Sequence, residues 1–186
     1  AMLGENNMVE ADETYIGGRE TNKHFRHRRS RENKLLRNDG KPYKEKKIVL
    51  GLIERSGKVV LRHVPNATKE NMVSFIEQHV PEGARLNTDE FKGYSGLGKW
   101  YNHETINHSL SVYVDGEVHT NTIENFWSVL KRGLYGIYHQ VSDKHLERYL
   151  DEFAARFNER ASTPREKFNK FLRESESYLS YDELTA

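Results

Sequence analysis

An uninterrupted apolar run, K-I-V-L-G-L-I-E at Lys47–Glu54, constrains the fold of this chain more than any other feature. A short apolar run bounded by turn residues is typical of a buried β-strand. The turn Arg55-Ser56-Gly57 follows it, and a second strand is predicted at Lys58–Val64, where Pro65 stops it. The two runs therefore predict a β-hairpin that forms part of a buried sheet.

The remaining strands and helices follow from the same kind of pattern. Three more strands are predicted, at Met8–Ile16, Ala84–Thr88 and Tyr101–Asn107. Helices are predicted from Thr68 to His79, from Thr120 or Asn121 to Arg132 (before Gly133), from Val141 to Arg160 and from Pro164 to about Glu174. Residues 90–99 are predicted to form a short helix and a glycine-rich turn, and residues 110–118 an irregular segment or small hairpin. This order predicts an α/β, ribonuclease-H-like fold with a five-stranded mixed sheet flanked by helices.

We interpret residues 1–186 as a single domain with a core at about 8–160, a basic insertion at 19–46 after the first strand, and a C-terminal helical extension at 161–186. From Arg19 to Lys47 there are twelve lysines and arginines against four acidic residues, although the whole chain has a net charge of only +1. Such asymmetry is typical of a surface that binds a polyanion, although a solvated basic surface is an equally ordinary explanation. The candidate DNA-binding residues in this insertion are Arg26, Arg28, Arg29 and Arg31.

The composition excludes several classes of site. The chain has no cysteine, so it forms no disulfide and no cysteine-ligated zinc site. No apolar run approaches the roughly 20 residues that a membrane-spanning helix needs, and no secretion signal opens the chain. His103, His108 and His119 suggest zinc only weakly, because their spacing fits no standard site.

Two aspartates lie at the ends of predicted strands, Asp12 within V-E-A-D-E-T and Asp89 at the end of R-L-N-T-D. Strand ends beside a turn are where α/β folds commonly place reactive groups. Each aspartate is followed by a glutamate, Glu13 and Glu90, which alternation along a strand would direct to the opposite side. Taken alone, either aspartate has an ordinary explanation as a turn or cap residue.

The helix T-N-T-I-E-N-F-W-S-V-L-K-R supplies a third carboxylate, Glu124. Its helical spacing predicts a polar strip beside an apolar stripe. The strip consists of Asn121, Glu124, Ser128 and Lys131, and the stripe of Ile123, Phe126, Trp127, Leu130 and Leu134. Glu124 and Lys131 also have ordinary explanations, because acids favour the first turn of a helix and bases the last. Trp127 is interpreted as a core residue rather than a base-stacking platform.

Three converging carboxylates repel one another unless cations neutralise them, and their hard oxygen ligands suit Mg²⁺ or Mn²⁺. Two such ions, roughly 3.5–4 Å apart, activate the attacking oxygen and stabilise the leaving oxygen of a phosphodiester. Asp12, Asp89 and Glu124 are therefore candidate catalytic residues and metal ligands, and Lys131 is a candidate phosphate contact.

Three blocks occur in order along the chain: V-E-A-D-E-T-Y-I-G-G-R-E, then N-T-D-E-F-K-G-Y, then H-T-N-T-I-E-N-F-W-S-V-L-K-R-G with Y-H-Q-V-S-D-K-H-L. Together they resemble the ISXO-type transposase domain of bacterial insertion sequences, which is similar to the eukaryotic Merlin transposases. The resemblance covers about residues 8–160. It maps the acidic triad of the family onto Asp12, Asp89 and Glu124, with 34 residues between the last two, and a lysine seven residues later onto Lys131.

The resemblance implies a DDE transposase that uses two Mg²⁺ or Mn²⁺ ions. Asp12 would bridge both ions, while Asp89 and Glu124 would each hold one. Water would cut a strand at the element end, and the freed 3′-hydroxyl would attack target DNA. Lys131, Arg132 and the basic insertion would contact phosphates, with Asn121 and His119 as further DNA-binding candidates. Asn121 is also a candidate for a supporting or alternative metal ligand.

The resemblance further implies that the partners are element-end and target DNA, that the enzyme acts as a homodimer or larger assembly, and that it works in the bacterial cytoplasm at the nucleoid, with no membrane association. Relatives usually carry an N-terminal DNA-binding region that the printed residues do not contain. A nuclease of the same fold without strand transfer, a domesticated non-catalytic DNA-binding protein and a protein-interaction domain remain the alternatives.

Overall fold

The computed structural model describes residues 2–4, 7–17, 46–89, 92–106, 120–139 and 141–174. The five strands are β1 (Val9–Ile16), β2 (Lys47–Glu54), β3 (Val59–Val64), β4 (Arg85–Asp89) and β5 (Asn102–Ile106). The four helices are α1 (Lys69–His79), α2 (Asn121–Gly136), α3 (Asp143–Asn158) and α4 (Pro164–Glu174). Among these residues, no helix combines the length and apolar character needed to cross a membrane.

The strands form one mixed sheet in the order β3-β2-β1-β4-β5. The hairpin predicted from the sequence is present as β2 and β3, and β2 also pairs antiparallel with β1. The pairs β1–β4 and β4–β5 are parallel. This arrangement is the ribonuclease-H-like fold predicted from the order of the elements, and it places β1 at the centre of the sheet.

Apolar side chains cover both faces of the sheet. On one face α1 contributes Met72, Phe75 and Ile76 to a core with Ala11 and Leu52. On the other face α2 and α3 pack over the side chains that alternation directs the opposite way, and the residues of this second core include Val49, Ile53, Ile123, Leu130, Leu146 and Leu150. The apolar stripe predicted for α2 is buried in this second core, as are the interior residues of α3.

The predicted end of α2 at Arg132 is wrong, because the helix continues through Gly133 to Gly136. Gly133 is buried, and a Cβ there would overlap the ring of Phe153 on α3. This glycine therefore permits close contact between two helices instead of ending one. The helix at 141–160 is shorter than predicted, at Asp143–Asn158.

The segment after β4 contains two short 3₁₀ turns, at Lys92–Tyr94 and Leu97–Lys99, where a short helix and a glycine-rich turn were predicted. The basic insertion and the irregular segment predicted at 110–118 lie outside the described residues. The division into a single domain of 186 residues stays a prediction.

Candidate active site

The parallel pairing of β1 with β4 brings Asp12 and Asp89 together. Ala11 is the register partner of Thr88, so the next residue on each strand is an aspartate, at the point where the pairing of β1 with β4 ends. Asp89 is the last residue of β4, whereas Asp12 lies inside β1, which continues to Ile16. One carboxylate oxygen from each of Asp12, Glu13 and Asp89 lies within 4.8 Å of the others. Within the part of the chain that the structure describes, these three residues form an acidic cluster that could hold a metal ion.

Glu13 is the unexpected member of the acidic cluster. Strand alternation predicted that its side chain would point away from Asp12, and Glu13 does contact Tyr94, which belongs to the core on the α1 face. The Tyr94 hydroxyl donates a hydrogen bond to Glu13 Oε2 at 3.2 Å. Beyond the point where β1 stops pairing with β4, the long side chain of Glu13 brings its carboxylate close to those of Asp12 and Asp89. The expectation that alternation separates Glu13 from Asp12 is therefore wrong.

The carboxylate of Asp12 is oriented by the indole of Trp127. Trp127 Nε1 donates to Asp12 Oδ2 at 2.9 Å, and the rest of the indole is buried in the second core, between the sheet and helices α2 and α3. The ring lies over Gly51, the register partner of Asp12 on β2. A Cβ at Gly51 would lie 2.5 Å from Trp127 Cη2, so only glycine leaves room for the indole at this position. Trp127 is thus the core residue predicted from the sequence and also a direct partner of the site.

Burial and repulsion from neighbouring acids raise the pKa of two members of the acidic cluster, Asp12 and Glu13. Burial chiefly raises the pKa of Asp12 from 3.8 to about 6, with Asp89 and Glu124 adding repulsion and the Trp127 hydrogen bond opposing the shift. Burial, followed by repulsion from Asp89 and Asp12, raises the pKa of Glu13 from 4.5 to about 7. Carboxylates that are desolvated and crowded in this way are stabilised in their charged form by a cation.

These shifts predict that the metal-free protein loses stability as pH rises from about 4 to about 7. The folded state binds protons more tightly than the unfolded state in this window, so the free energy of unfolding falls with pH and levels off above it. Asp12 alone contributes about 3 kcal/mol, since its pKa rises by about two units and one unit is about 1.4 kcal/mol. Thermal denaturation in a chelating buffer from pH 4.5 to 8 measures the loss.

Asp12→Asn should flatten that pH profile, and addition of Mg²⁺ or Mn²⁺ at pH 7.5 should raise the melting temperature of the wild-type protein. A metal-free melting temperature that rose through this window would contradict the sign of both pKa shifts.

Helix α2 is fixed at three places along its length, two of them on β1 and the third at Gly17, which directly follows β1. Near its first turn, the backbone N–H groups of Thr122 and Ile123 donate to the carboxylate of Glu10, at 2.9 and 3.0 Å. Trp127 then contacts Asp12. Near its last turn, the Tyr135 hydroxyl accepts a hydrogen bond from the backbone N–H of Gly17 at 2.9 Å. The helix therefore runs along β1 in the same direction as the strand.

Glu124 lies in the first turn of α2 and is exposed. It precedes Trp127 by three residues, so the two side chains share one side of the helix, and Trp127 faces Asp12. The charge of Glu124 contributes to the raised pKa of Asp12, and the Thr120 hydroxyl donates to Glu124 Oε1 at 3.3 Å. Glu124 is not among the residues whose oxygens lie within 4.8 Å of one another. The structure thus places it beside the acidic cluster rather than within it.

The other predicted site residues divide into two groups. On α2, Asn121 and Arg132 are exposed and Lys131 is partly buried, and the polar strip predicted for this helix faces solvent along most of its length. His119, Arg26, Arg28, Arg29 and Arg31 lie outside the described residues.

The zinc alternative gains no support from His103, the one of its three histidines that the structure describes. Its Nε2 pairs with Thr88 Oγ1 at 2.9 Å, and burial lowers its pKa, which favours the neutral ring. His108 lies, like His119, outside the described residues.

Sequence reasoning missed Glu10, Glu13, Gly51 and Trp127 as parts of this site. One local signal was available for Glu10: an acid two residues before a candidate catalytic aspartate shares its face of the strand. A glycine inside an otherwise apolar strand also signals a close approach by another element, and Gly51 is such a residue.

The mixed sheet, with acidic side chains where the pairing of β1 with β4 ends, defines a ribonuclease-H-like domain with a carboxylate site. Residues 2–158 match the ISXO2-like transposase domain. The chain is 32% identical over 96 residues to an uncharacterized transposase-like protein of Haemophilus influenzae, an alignment that covers 51% of this chain and 76% of that protein. The chain belongs to the ISXO2-like transposase domain family, which confirms the resemblance found in the sequence. Transposases as a class are enzymes that bind and cut DNA.

Proposed function

We propose that this domain catalyses two-metal phosphodiester cleavage and strand transfer at the ends of an insertion sequence. The observation that carries the proposal is the acidic cluster of Asp12, Glu13 and Asp89 where the pairing of β1 with β4 ends, with Glu124 beside it on α2. Membership of a transposase family supports DNA as the substrate.

The residues of the acidic cluster fit Mg²⁺ or Mn²⁺. They offer carboxylate oxygens only, which are the ligands that these hard cations prefer. The raised pKa values of Asp12 and Glu13 reflect burial and repulsion, which bound cations would offset. When bound, two such ions lower the pKa of the attacking water and offset the charge that develops on the leaving oxygen.

Each carboxylate has a distinct place in the proposed site. Asp12 is central, because its charge interacts with both Asp89 and Glu124, so we assign it to both metal ions. Asp89 would hold one ion and Glu124 the other. Glu13 lies close enough to Asp12 and Asp89 to be a further metal ligand. Its pKa of about 7 would alternatively let it take up a proton near neutral pH.

The basic residues would hold the DNA backbone. Lys131 is two helical turns beyond Glu124 on the same strip of α2, and Arg132 follows it on the exposed surface. We assign phosphate contacts to both, with Asn121 close to the site at the start of the helix. We also propose DNA contacts on the basis of the sequence alone for His119, Arg26, Arg28, Arg29 and Arg31. Such contacts make DNA affinity fall steeply as salt concentration rises.

Two further features of the proposal come from the class of protein. Joining paired element ends requires more than one active site in reach, so we propose a homodimer or larger assembly on DNA. The substrate is chromosomal DNA, so we place the enzyme at the nucleoid in the bacterial cytoplasm.

Glu124→Gln is expected to lower metal-dependent nicking of a labelled element-end DNA by about 10²-fold or more. The substitution removes the charge of the proposed third ligand and keeps its size. The measurement compares the variant with wild type in Mg²⁺ and in Mn²⁺. Glu104→Gln, the same change on exposed β5, is the matched control and should cleave at the wild-type rate.

The same assay separates the alternatives. Pre-cut ends mixed with target DNA yield joined products from a transposase and none from a nuclease of the same fold. Metal-dependent cleavage lost only in the Glu124 variant supports the proposed third ligand. Equal cleavage by Glu124→Gln and wild type would remove Glu124 from the site, and salt-dependent binding without cleavage by either would favour a non-catalytic DNA-binding protein.

A further inference from the structure

Glu10 is a fully buried acid in β1 that the proposed chemistry does not use. Its carboxylate accepts hydrogen bonds from Arg55, Thr122 and Ile123. Oε1 accepts from Arg55 Nε and from Thr122 Oγ1, both at 2.9 Å. Oε2 accepts from the backbone N–H groups of Thr122 and Ile123, at 2.9 and 3.0 Å. A carboxylate removed from water in this way persists only when such partners satisfy it.

These bonds make Glu10 the cap of helix α2. The first turn of a helix has N–H groups without partners in the helix, and a side chain at the cap position usually satisfies them. Thr120 occupies that position in α2, and its side chain makes no capping hydrogen bond. The carboxylate of Glu10 takes its place from a strand 112 residues earlier in the chain, where its charge also suits the positive end of the helix.

The position of Glu10 relates it to two of the proposed ligands. Glu10 and Asp12 are two residues apart on one face of β1, and the residues that Glu10 binds on α2, Thr122 and Ile123, immediately precede Glu124. The Trp127 contact with Asp12 lies on the other side of Glu124 along the helix. Glu124 therefore lies between two points at which α2 is bonded to β1.

We propose that Glu10 is a positioning residue that sets the place of Glu124 relative to Asp12 and thereby the affinity of the second metal ion. This inference rests on the proposed function, because it takes Glu124 as a metal ligand. Glu10 has no other route to the metals, since its carboxylate oxygens already face Arg55 and the start of α2.

The test is the binding of Mn²⁺ to the purified full chain, followed by calorimetry and by electron paramagnetic resonance, for wild type and Glu10→Gln. Glutamine replaces one acceptor oxygen with an NH₂ group, which is a donor. This donor would face either the backbone N–H groups of α2 or the Arg55 side chain, which are themselves donors, so we expect the first turn of α2 to be displaced. We expect the weaker of two Mn²⁺ sites to lose affinity by about 10-fold, the scale seen when a residue that supports a metal ligand is changed. The stronger site should be unaffected.

Two comparisons distinguish positioning from simple stabilisation. Ile76→Val lowers stability in the core on the opposite face and should keep both Mn²⁺ affinities. Glu124→Gln should weaken the same site as Glu10→Gln, and the double variant should lose no more than Glu124→Gln alone, because both changes act on one ligand.

A gentler change guards against a variant that fails to fold. Thr122→Val removes one donor to Glu10 and keeps the backbone bonds, whereas Thr122→Ser retains the hydroxyl. Thr122→Val should weaken the second site in part, and Thr122→Ser should restore it. The proposal fails if Glu124→Gln loses a Mn²⁺ site while Glu10→Gln and Thr122→Val keep both Mn²⁺ affinities, as Ile76→Val is expected to do. Glu10 would then be only a structural cap of α2. If wild type binds no Mn²⁺, the proposed function itself fails.

Discussion

Asp12→Asn is expected to lower metal-dependent cleavage of element-end DNA on the order of 10³-fold or more, the scale seen when a central member of a catalytic constellation is removed. Asp12 interacts with the charges of both Asp89 and Glu124 and is proposed to contact both metal ions. Asparagine keeps the shape and an oxygen that can accept from Trp127, but it lacks the negative charge that holds the cations.

The same variant should bind DNA at least as well as wild type, because one negative charge has been removed from a surface that faces phosphates. It should also be no less stable than wild type in the absence of metal at neutral pH, since the buried and repelled carboxylate is gone. Gel-shift titration and thermal denaturation measure these properties beside the cleavage rate.

Asp151→Asn on the exposed surface of α3 is the matched control for charge removal and should keep wild-type cleavage. Cleavage by Asp12→Asn at the wild-type rate would remove Asp12 from the reaction.

Gly51→Ala is expected to damage both the fold and the site. The added Cβ would lie 2.5 Å from Trp127 Cη2 and 3.2 Å from Ile123 Cδ1, so α2 must move away from the sheet. We expect a loss of about 1–3 kcal/mol in the free energy of unfolding, the range for overpacked cores. Movement of Trp127 breaks its hydrogen bond to Asp12, so cleavage should fall about 10–100-fold.

Denaturant unfolding and the nicking assay measure the two effects separately. Gly98→Ala is the control, because a Cβ there meets no atom within 4 Å. Combining Gly51→Ala with Trp127→Phe supplies a smaller ring without an N–H, so stability should recover in part while cleavage stays low. A Gly51→Ala protein as stable and as active as wild type would show that the indole is not confined by β2.

Local patterns were enough to predict most of the fold. The apolar run of β2, the turn after it and the helical spacing in α1 and α2 depend on neighbouring residues, so they can be read from short windows. Asp89 ends β4 as predicted, but the prediction that Asp12 ends its strand is wrong, because β1 continues to Ile16 and stays paired with β2. The end of α2 could not be predicted from its glycine, because what Gly133 permits is a contact with Phe153 on another helix.

The parts of the site that were missed depend on long-range contacts. Glu10 looks like an ordinary polar residue in a strand until its partners at the start of α2 are known. Trp127 was correctly assigned to the core, but no periodicity shows that its N–H meets Asp12. Alternation along β1 predicted that Glu13 would lie apart from Asp12, but its side chain is long enough to bring its carboxylate close to those of Asp12 and Asp89.

The attachment of α2 along β1 also fixes when the site can exist during synthesis of the chain. Glu10 and Asp12 meet their partners on α2 only across 112 to 115 residues, and Gly17 meets Tyr135 across 118. Contacts so far apart in sequence form late, since a long loop must close before they contribute. A ribosome that stalls before α2 has emerged therefore releases a fragment with two of the proposed acids and no third. On this view the proposed site matures only after α2 has been made, and a fragment that stops before α2 lacks the helix that carries Glu124.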